Sequence, residues 1–152
     1  MKVSELFNEK TMNLNLVAVT KNQAIDEMIN ILVNGDILSD REEFKKAILK
    51  REEQSSTGIG LTIAIPHAKS KAVKSPSVAF GISKSGVDYE AIDATKAHLF
   101  FMIAVKEGEN DLHLQALASL SRLLMHEDFR NKLLNAKTSK EVLELIEIQE
   151  SK

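Results

Sequence analysis

Four histidines, His67, His98, His113 and His126, and the arginine Arg51 are the side chains with which this sequence could do chemistry, since it contains no cysteine. An imidazole has an unperturbed pKa of ~6.5, so at neutral pH it can offer a lone pair, move a proton or ligate a metal. His67 stands apart by its surroundings. It closes the stretch TGIGLTIAIPH, in which a glycine turn leads to a short apolar run and then to Pro66. The pyrrolidine ring fixes its own φ and keeps Ile65 extended, so the chain cannot run on into a helix here. The imidazole is thus expected at a defined place on the edge or end of the sheet, where ligand crevices of α/β domains lie.

Just upstream, SSTGIG sets hydroxyl residues beside glycines that permit close backbone approach. Ser56, Thr57, Gly58 and Gly60 could therefore offer hydroxyl and N–H donors to an anion. Arg51 carries a planar fork suited to phosphate oxygens, although by spacing alone a solvated helix end is the favoured reading. If Asn110 or Asp111 caps the next helix, His113 falls in its first turn, where the helix dipole helps to keep the ring neutral. Its face includes Leu117, Leu120 and Leu124, so the ring is expected to point inward. A buried histidine bonded to a carbonyl is the alternative. His98 reads as a strand-edge residue, and His126 as a ring that satisfies terminal carbonyls at a helix end.

Other chemistries lack their signatures. There is no P-loop, no His-Glu-x-x-His pair and no Gly-x-Ser-x-Gly elbow. A metal-dependent enzyme would have to rely on His67 and His113 meeting in space, and no metal or other cofactor is expected. A formal charge of −2 leaves no basic footprint for nucleic acid. The N-terminus lacks the apolar region of a signal peptide, and no apolar run approaches the ~20 residues that span a bilayer, so the cytoplasm is the expected compartment.

The elements that must position these groups are well marked. Thr20–Gln23, Ser39–Glu42 and Thr138–Glu141 fit the capping-box pattern at three helix starts. Apolar stripes follow each: Ile25, Met28, Ile29 and Leu32, ending near Gly35; then Phe44, Ala47 and Ile48; then Val142, Leu145 and Ile146. Between them the period drops to two. Leu61, Ile63 and Ile65 alternate as one strand face, as do Val78, Phe80 and Ile82. LFFMIAV, residues 99–105, is apolar throughout and reads as a strand covered on both faces. Residues 11–17 could add another strand, and residues 111–128 return to helical spacing. The order is strand, two helices, several strands, then two or three helices. It predicts an α/β chain of one domain, residues 1–152, with a mixed β-sheet flanked by α-helices.

Arg51, STGIGLTIAIPHAK and DLHLQALASLSRLL together resemble the fructose/mannitol-type enzyme IIA domain of the bacterial phosphoenolpyruvate:sugar phosphotransferase system, over residues 3–148 or nearly so. The resemblance implies a layered α/β fold. It implies that His67 accepts a phosphoryl group on Nε2 from the histidine-containing phosphocarrier protein, then passes it to a cysteine of an enzyme IIB component. His113 and Arg51 would be the supporting pair. The site of such a carrier is expected to be shallow, with Ile59, Leu61 and Ala68 as an apolar ring for a partner to cover. Lys69, Lys71 and Lys74 read as a solvated loop, with a docking patch as the alternative. A nitrogen-type regulatory phosphoprotein using the same histidine is the competing function. Neither the sugar nor the oligomeric state can be read from the residues.

Overall fold

Local signals set most of the boundaries in the computed structural model, which describes residues 2–152. The elements are β1 (Met12–Asn13), α1 (Lys21–Asn34), α2 (Arg41–Gln54), β2 (Gly58–Gly60), β3 (Ile63–Ala64), β4 (His67–Lys69), β5 (Ser77–Val87), β6 (Ala97–Val105), α3 (Asn110–Leu124), α4 (Glu127–Leu134) and α5 (Ser139–Glu150), after two 3₁₀ turns at Val3–Leu6 and Glu9–Thr11. Helix α1 opens on the expected box: the Gln23 N–H donates to Thr20 Oγ1, and the Thr20 N–H donates to Gln23 Oε1, both at 3.2 Å. At α2 the cap falls one residue later than expected. Asp40 accepts from the Glu43 N–H at 3.1 Å. The N–H of Ser39 donates to Ala72 O at 2.8 Å, which holds Ser39 outside the helix. Thr138 caps α5, accepting from the Glu141 N–H at 3.1 Å.

The sheet is mixed, as expected, in the order β1-β5-β6-β3-β2, with β4 also on β6. Strand β6 is its axis, antiparallel to β5 and parallel to β3 and β4. Period-two alternation splits its buried side chains between two cores. Phe100, Met102 and Ala104 join α1 and α2 on one face. Leu99, Phe101, Ile103 and Val105 join α3, α4 and α5 on the other. Three layers result, helices on sheet on helices. Residues 11–17 pair only briefly, with Met12 and Asn13 parallel to Phe80 and Gly81.

The run ending at His67 is more broken than its alternation suggests. Ile63 and Ile65 are buried on the α3 face, but Leu61 and Thr62 adopt φ of 55° and 67° in the turn between β2 and β3. Leu61 therefore points outward. Beyond the turn, β3 and β4 lie on one edge of β6 in continuous register, Ala64 opposite Phe100 and His67 opposite Ile103. Pro66 has no N–H to give the ladder, which splits one extended stretch in two. Its carbonyl still accepts from the Ile103 N–H at 3.0 Å. His67 thus begins a second strand segment instead of ending the first. Among the described residues, no helix is long and apolar enough to cross a membrane.

Candidate functional site

Alternation along the β3–β4 edge directs Ile63, Ile65 and His67 to one face of the sheet, the face on which α3 packs. His113, in the first turns of α3, meets His67 there, with ring centroids 5.2 Å apart and planes inclined at 50°. Arg51 arrives from the last turn of α2, where its Nη1 donates to Ser55 O at 2.9 Å. Its charge reaches the His67 ring. Three groups spread over 63 positions of sequence thus converge at one corner of the fold.

The His67 ring is half-buried. Its Nδ1 lies 2.8 Å from Ile65 O. A carbonyl only accepts, so Nδ1 carries the proton and donates. In the neutral ring Nε2 is then left with a lone pair. Burial pushes the pKa of His67 below the usual histidine value; the bond to Ile65 O opposes this, the Arg51 charge adds to it and the Glu52 charge opposes it. The ring is uncharged at neutral pH.

His113 is only 8 % exposed. Burial, then the charges of His67 and Lys69, push its pKa down to about 4. Its Nε2 is buried with no hydrogen-bond partner among the described residues, so the carbonyl bond of the blander reading is absent there. Neither Asn110 nor Asp111 caps α3. Glu109 holds the cap position without a side-chain bond, and Asn110 Oδ1 accepts from Lys69 Nζ at 2.6 Å.

The Ser55–Gly60 turn lies against both α2 and the β5–β6 connection. Ser56 Oγ donates to Tyr89 O at 2.6 Å and accepts from the Gly58 N–H at 3.0 Å. The Thr57 N–H donates to Glu52 Oε1 at 3.1 Å, and its hydroxyl donates to Glu52 Oε2. Glycine is required twice here. A Cβ on Gly58 would lie 2.8 Å from Tyr89 O, and Gly60 has φ +85° with the Asp93 carboxylate 2.7 Å from where its Cβ would be. The donors of Ser56, Thr57 and Gly58 are thus already engaged, by Tyr89 O, by Glu52 and by Ser56 Oγ, and not free for an anion.

Around this corner Ile59 and Leu61 are exposed, at 47 % and 53 %. Ala68 is not part of the ring: alternation turns it to the opposite face, where it is buried with α1 and α2. Lys69 is not in a loop but on β4, and Lys74 pairs with Asp36 at 2.5 Å. His98 is not at a sheet edge, since β6 has neighbours on both sides; its Nδ1 lies 2.8 Å from Ser83 O. His126 is exposed at the start of α4 and its side chain makes no cap bond. Among the described residues, no three His, Asp or Glu side chains are close enough to hold a metal ion. A groove of 1020 Å³ between the α3–α4 corner and the end of α5 contains none of the converging residues.

Residues that the sequence did not single out complete the site. Glu52, Lys21 and Tyr89 meet behind Arg51. Their positions follow no period, and only the adjacency of Glu52 to Arg51 could have drawn attention to them.

Comparison with known proteins places these features in context. Residues 5–148 match the family described as "Phosphoenolpyruvate-dependent sugar phosphotransferase system, EIIA 2". The chain is 51% identical over 146 residues to the PTS system fructose-specific EIIABC component of Bacillus subtilis, covering 96% of this chain and 23% of that one. The chain therefore spans about a quarter of the length of that relative. It is 43% identical over 127 residues to the PTS system fructose-specific EIIA component of Haloferax volcanii, covering 84% of this chain and 82% of that one. Among solved structures, the mannitol enzyme IIA in complex with phosphorylated mannitol enzyme IIB from Escherichia coli matches with a TM-score of 0.80 and 29% identity, over 93% of this chain and 99% of that one.

Proposed function

Because this chain belongs to the EIIA 2 family of the phosphoenolpyruvate-dependent sugar phosphotransferase system, we propose that it is a phosphoryl carrier working in the cytoplasm, with His67 as the group that carries. The donor is the phosphohistidine of the histidine-containing phosphocarrier protein, and the acceptor is a cysteine of an enzyme IIB component. The relatives named for fructose point to fructose uptake as the process served.

The observation that carries this reading is the tautomer of His67. With Nδ1–H committed to Ile65 O, the Nε2 lone pair attacks phosphorus. The N–P bond of the donor breaks, and its electron pair returns to the donor imidazole. In the second step a cysteine thiolate of the acceptor forms an S–P bond, and the pair of the breaking N–P bond stays on Nε2. The first step exchanges one N–P bond for another and the second an N–P bond for an S–P bond, and in both the protein contributes position and charge more than covalent chemistry. Arg51 offsets the charge of the equatorial oxygens. The unpartnered Nε2 of His113 is available to donate to one of them when protonated there. Ser56, Thr57, Gly58 and Gly60 form the turn that Arg51 grips at Ser55 O. The hydroxyls of Ser56 and Thr57 and the N–H groups of Thr57 and Gly58 are engaged elsewhere, so this turn serves by holding Arg51 and not by donating to the phosphoryl oxygens.

The test is incubation with phosphoenolpyruvate, the general phosphotransferase enzyme and the phosphocarrier protein, followed by an enzyme IIB domain. Acid-labile, base-stable label is expected on His67, then on the IIB cysteine. His67→Ala should fold as the parent does and take no label. A labelled His67→Ala protein would move the acceptor elsewhere. A labelled parent that discharges to no IIB domain would favour the nitrogen-type regulatory role.

A further inference from the structure

Behind Arg51 lies a buried carboxylate that phosphoryl transfer as written above does not use. The side chain of Glu52 is 6 % exposed, and each of its two oxygens has two partners. Oε1 pairs with Lys21 Nζ at 3.1 Å and accepts from the Thr57 N–H at 3.1 Å. Oε2 accepts from the Thr57 hydroxyl and from Tyr89 Oη at 3.0 Å. Lys21 also bonds Glu90 at 2.8 Å and lies 4.9 Å from the centre of the Tyr89 ring. The end of α2, the start of α1 and the β5–β6 connection are thus joined at one anion.

We propose that Glu52 is a positioning residue for phosphoryl transfer at His67, holding the Ser55–Gly60 turn and, through it, the guanidinium of Arg51. The proposal rests on the phosphotransfer reading above. Consecutive residues of a helix point about 100° apart, and at the end of α2 this divergence is put to use. Arg51 grips the turn at Ser55 O, and Glu52 grips it two residues on, at both polar groups of Thr57. Tyr89 holds the same turn from the far side. Its carbonyl accepts from Ser56 Oγ while its hydroxyl donates to Glu52. The turn therefore cannot shift without breaking a bond at each of its first three residues.

Stability alone is a poor account of this arrangement. A buried ion pair contributes little net stability compared with an apolar replacement, because desolvation offsets the attraction. What it does provide is a fixed direction for each group. It also places a negative charge within reach of His67. The ring lies against His113 of α3, and of the two α2 charges that act on it Glu52 opposes the depressing effect of Arg51 on its pKa.

Glu52→Gln keeps the shape but removes the charge and one acceptor oxygen. At a pH where His67 is neutral in both proteins, the rate of labelling by the phosphocarrier protein should fall about ten- to a hundred-fold, with the KM for that donor unchanged. The pKa of His67, followed by NMR, should fall further below that of the parent. Tyr89→Phe, which removes one bond to Glu52 and keeps the ring, should slow labelling in the same direction by a smaller factor; it carries the test alone if Glu52→Gln does not fold. Parental rates in either folded variant would overturn the proposal. So would a slow Glu52→Gln whose loss lies wholly in a raised KM for the donor, since a positioning role at His67 acts on the transfer step and not on donor docking. A parent protein that takes no label at all would instead sink the phosphotransfer reading, and this inference with it.

Discussion

At the scale of single residues, the proposed reactivity of His67 rests on one hydrogen bond and a balance of charges. Ile65 O accepts a hydrogen bond from the Nδ1–H of His67, and burial and Arg51 hold the ring neutral. Because its pKa lies below the ordinary 6.5, the initial rate of labelling should stay level as pH falls through that value and drop only at lower pH. Arg51→Lys keeps the charge but loses the fork that grips Ser55 O, so labelling should slow while the NMR titration of His67 stays close to the parent's. Arg51→Met removes the charge, and the His67 pKa should rise. His113 links the site to stability. Its pKa is about 4 when folded and ~6.5 when unfolded, so the unfolded chain takes up a proton first as pH falls. The stability is fully present above 6.5 and is lost progressively down to about 4, by at most about 3 kcal/mol. Urea midpoints measured across that window should show the slope, and His113→Asn should flatten it.

At the scale of elements, the site depends on how a strand is interrupted and a turn is held. Pro66 removes one donor from the ladder without breaking register, so His67 starts a fresh segment with its ring on the α3 face. The Ser55–Gly60 turn is pressed so closely on the β5–β6 connection that it has no room for a side chain at Gly58. Gly58→Ala would put a methyl 2.8 Å from Tyr89 O. The turn would have to move away from Tyr89, at a cost of about 1–3 kcal/mol. A lowered thermal midpoint together with slower labelling should follow. An unchanged midpoint would mean that the contact is looser than the structure shows.

The whole molecule is three layers organised by β6, whose alternate side chains enter two separate cores. Phe101 is fully buried in the core beneath α3 to α5, with the Phe80 ring at 5.1 Å and the Phe7 ring at 6.3 Å. Phe101→Ala should cost about 3–5 kcal/mol, read as a shift of the denaturation midpoint. The ends of the described chain are also tied: the Val3 and Ser4 N–H groups donate to the Glu150 carboxylate at 2.5 and 3.1 Å.

Much of this was legible in the residues. Composition and period specified the layers, because a strand like LFFMIAV has no polar face to leave in water and must be covered on both sides. Capping chemistry marked the helix starts to within a residue, because orphan N–H groups need a nearby oxygen whatever the fold. The glycine turn, the proline and His67 were adjacent, so their joint meaning was local and readable. Leu61 was misplaced because alternation cannot report a turn that reverses the chain after two glycines. Ser39 was misplaced as a cap because its N–H is claimed by Ala72, 33 residues away. Only the tertiary structure could bring His113 to 5.2 Å from His67, or join Lys21, Glu52, Thr57 and Tyr89 at one carboxylate. Such contacts depend on which elements pack together, and packing answers to the sum of both cores and not to any one stretch of residues.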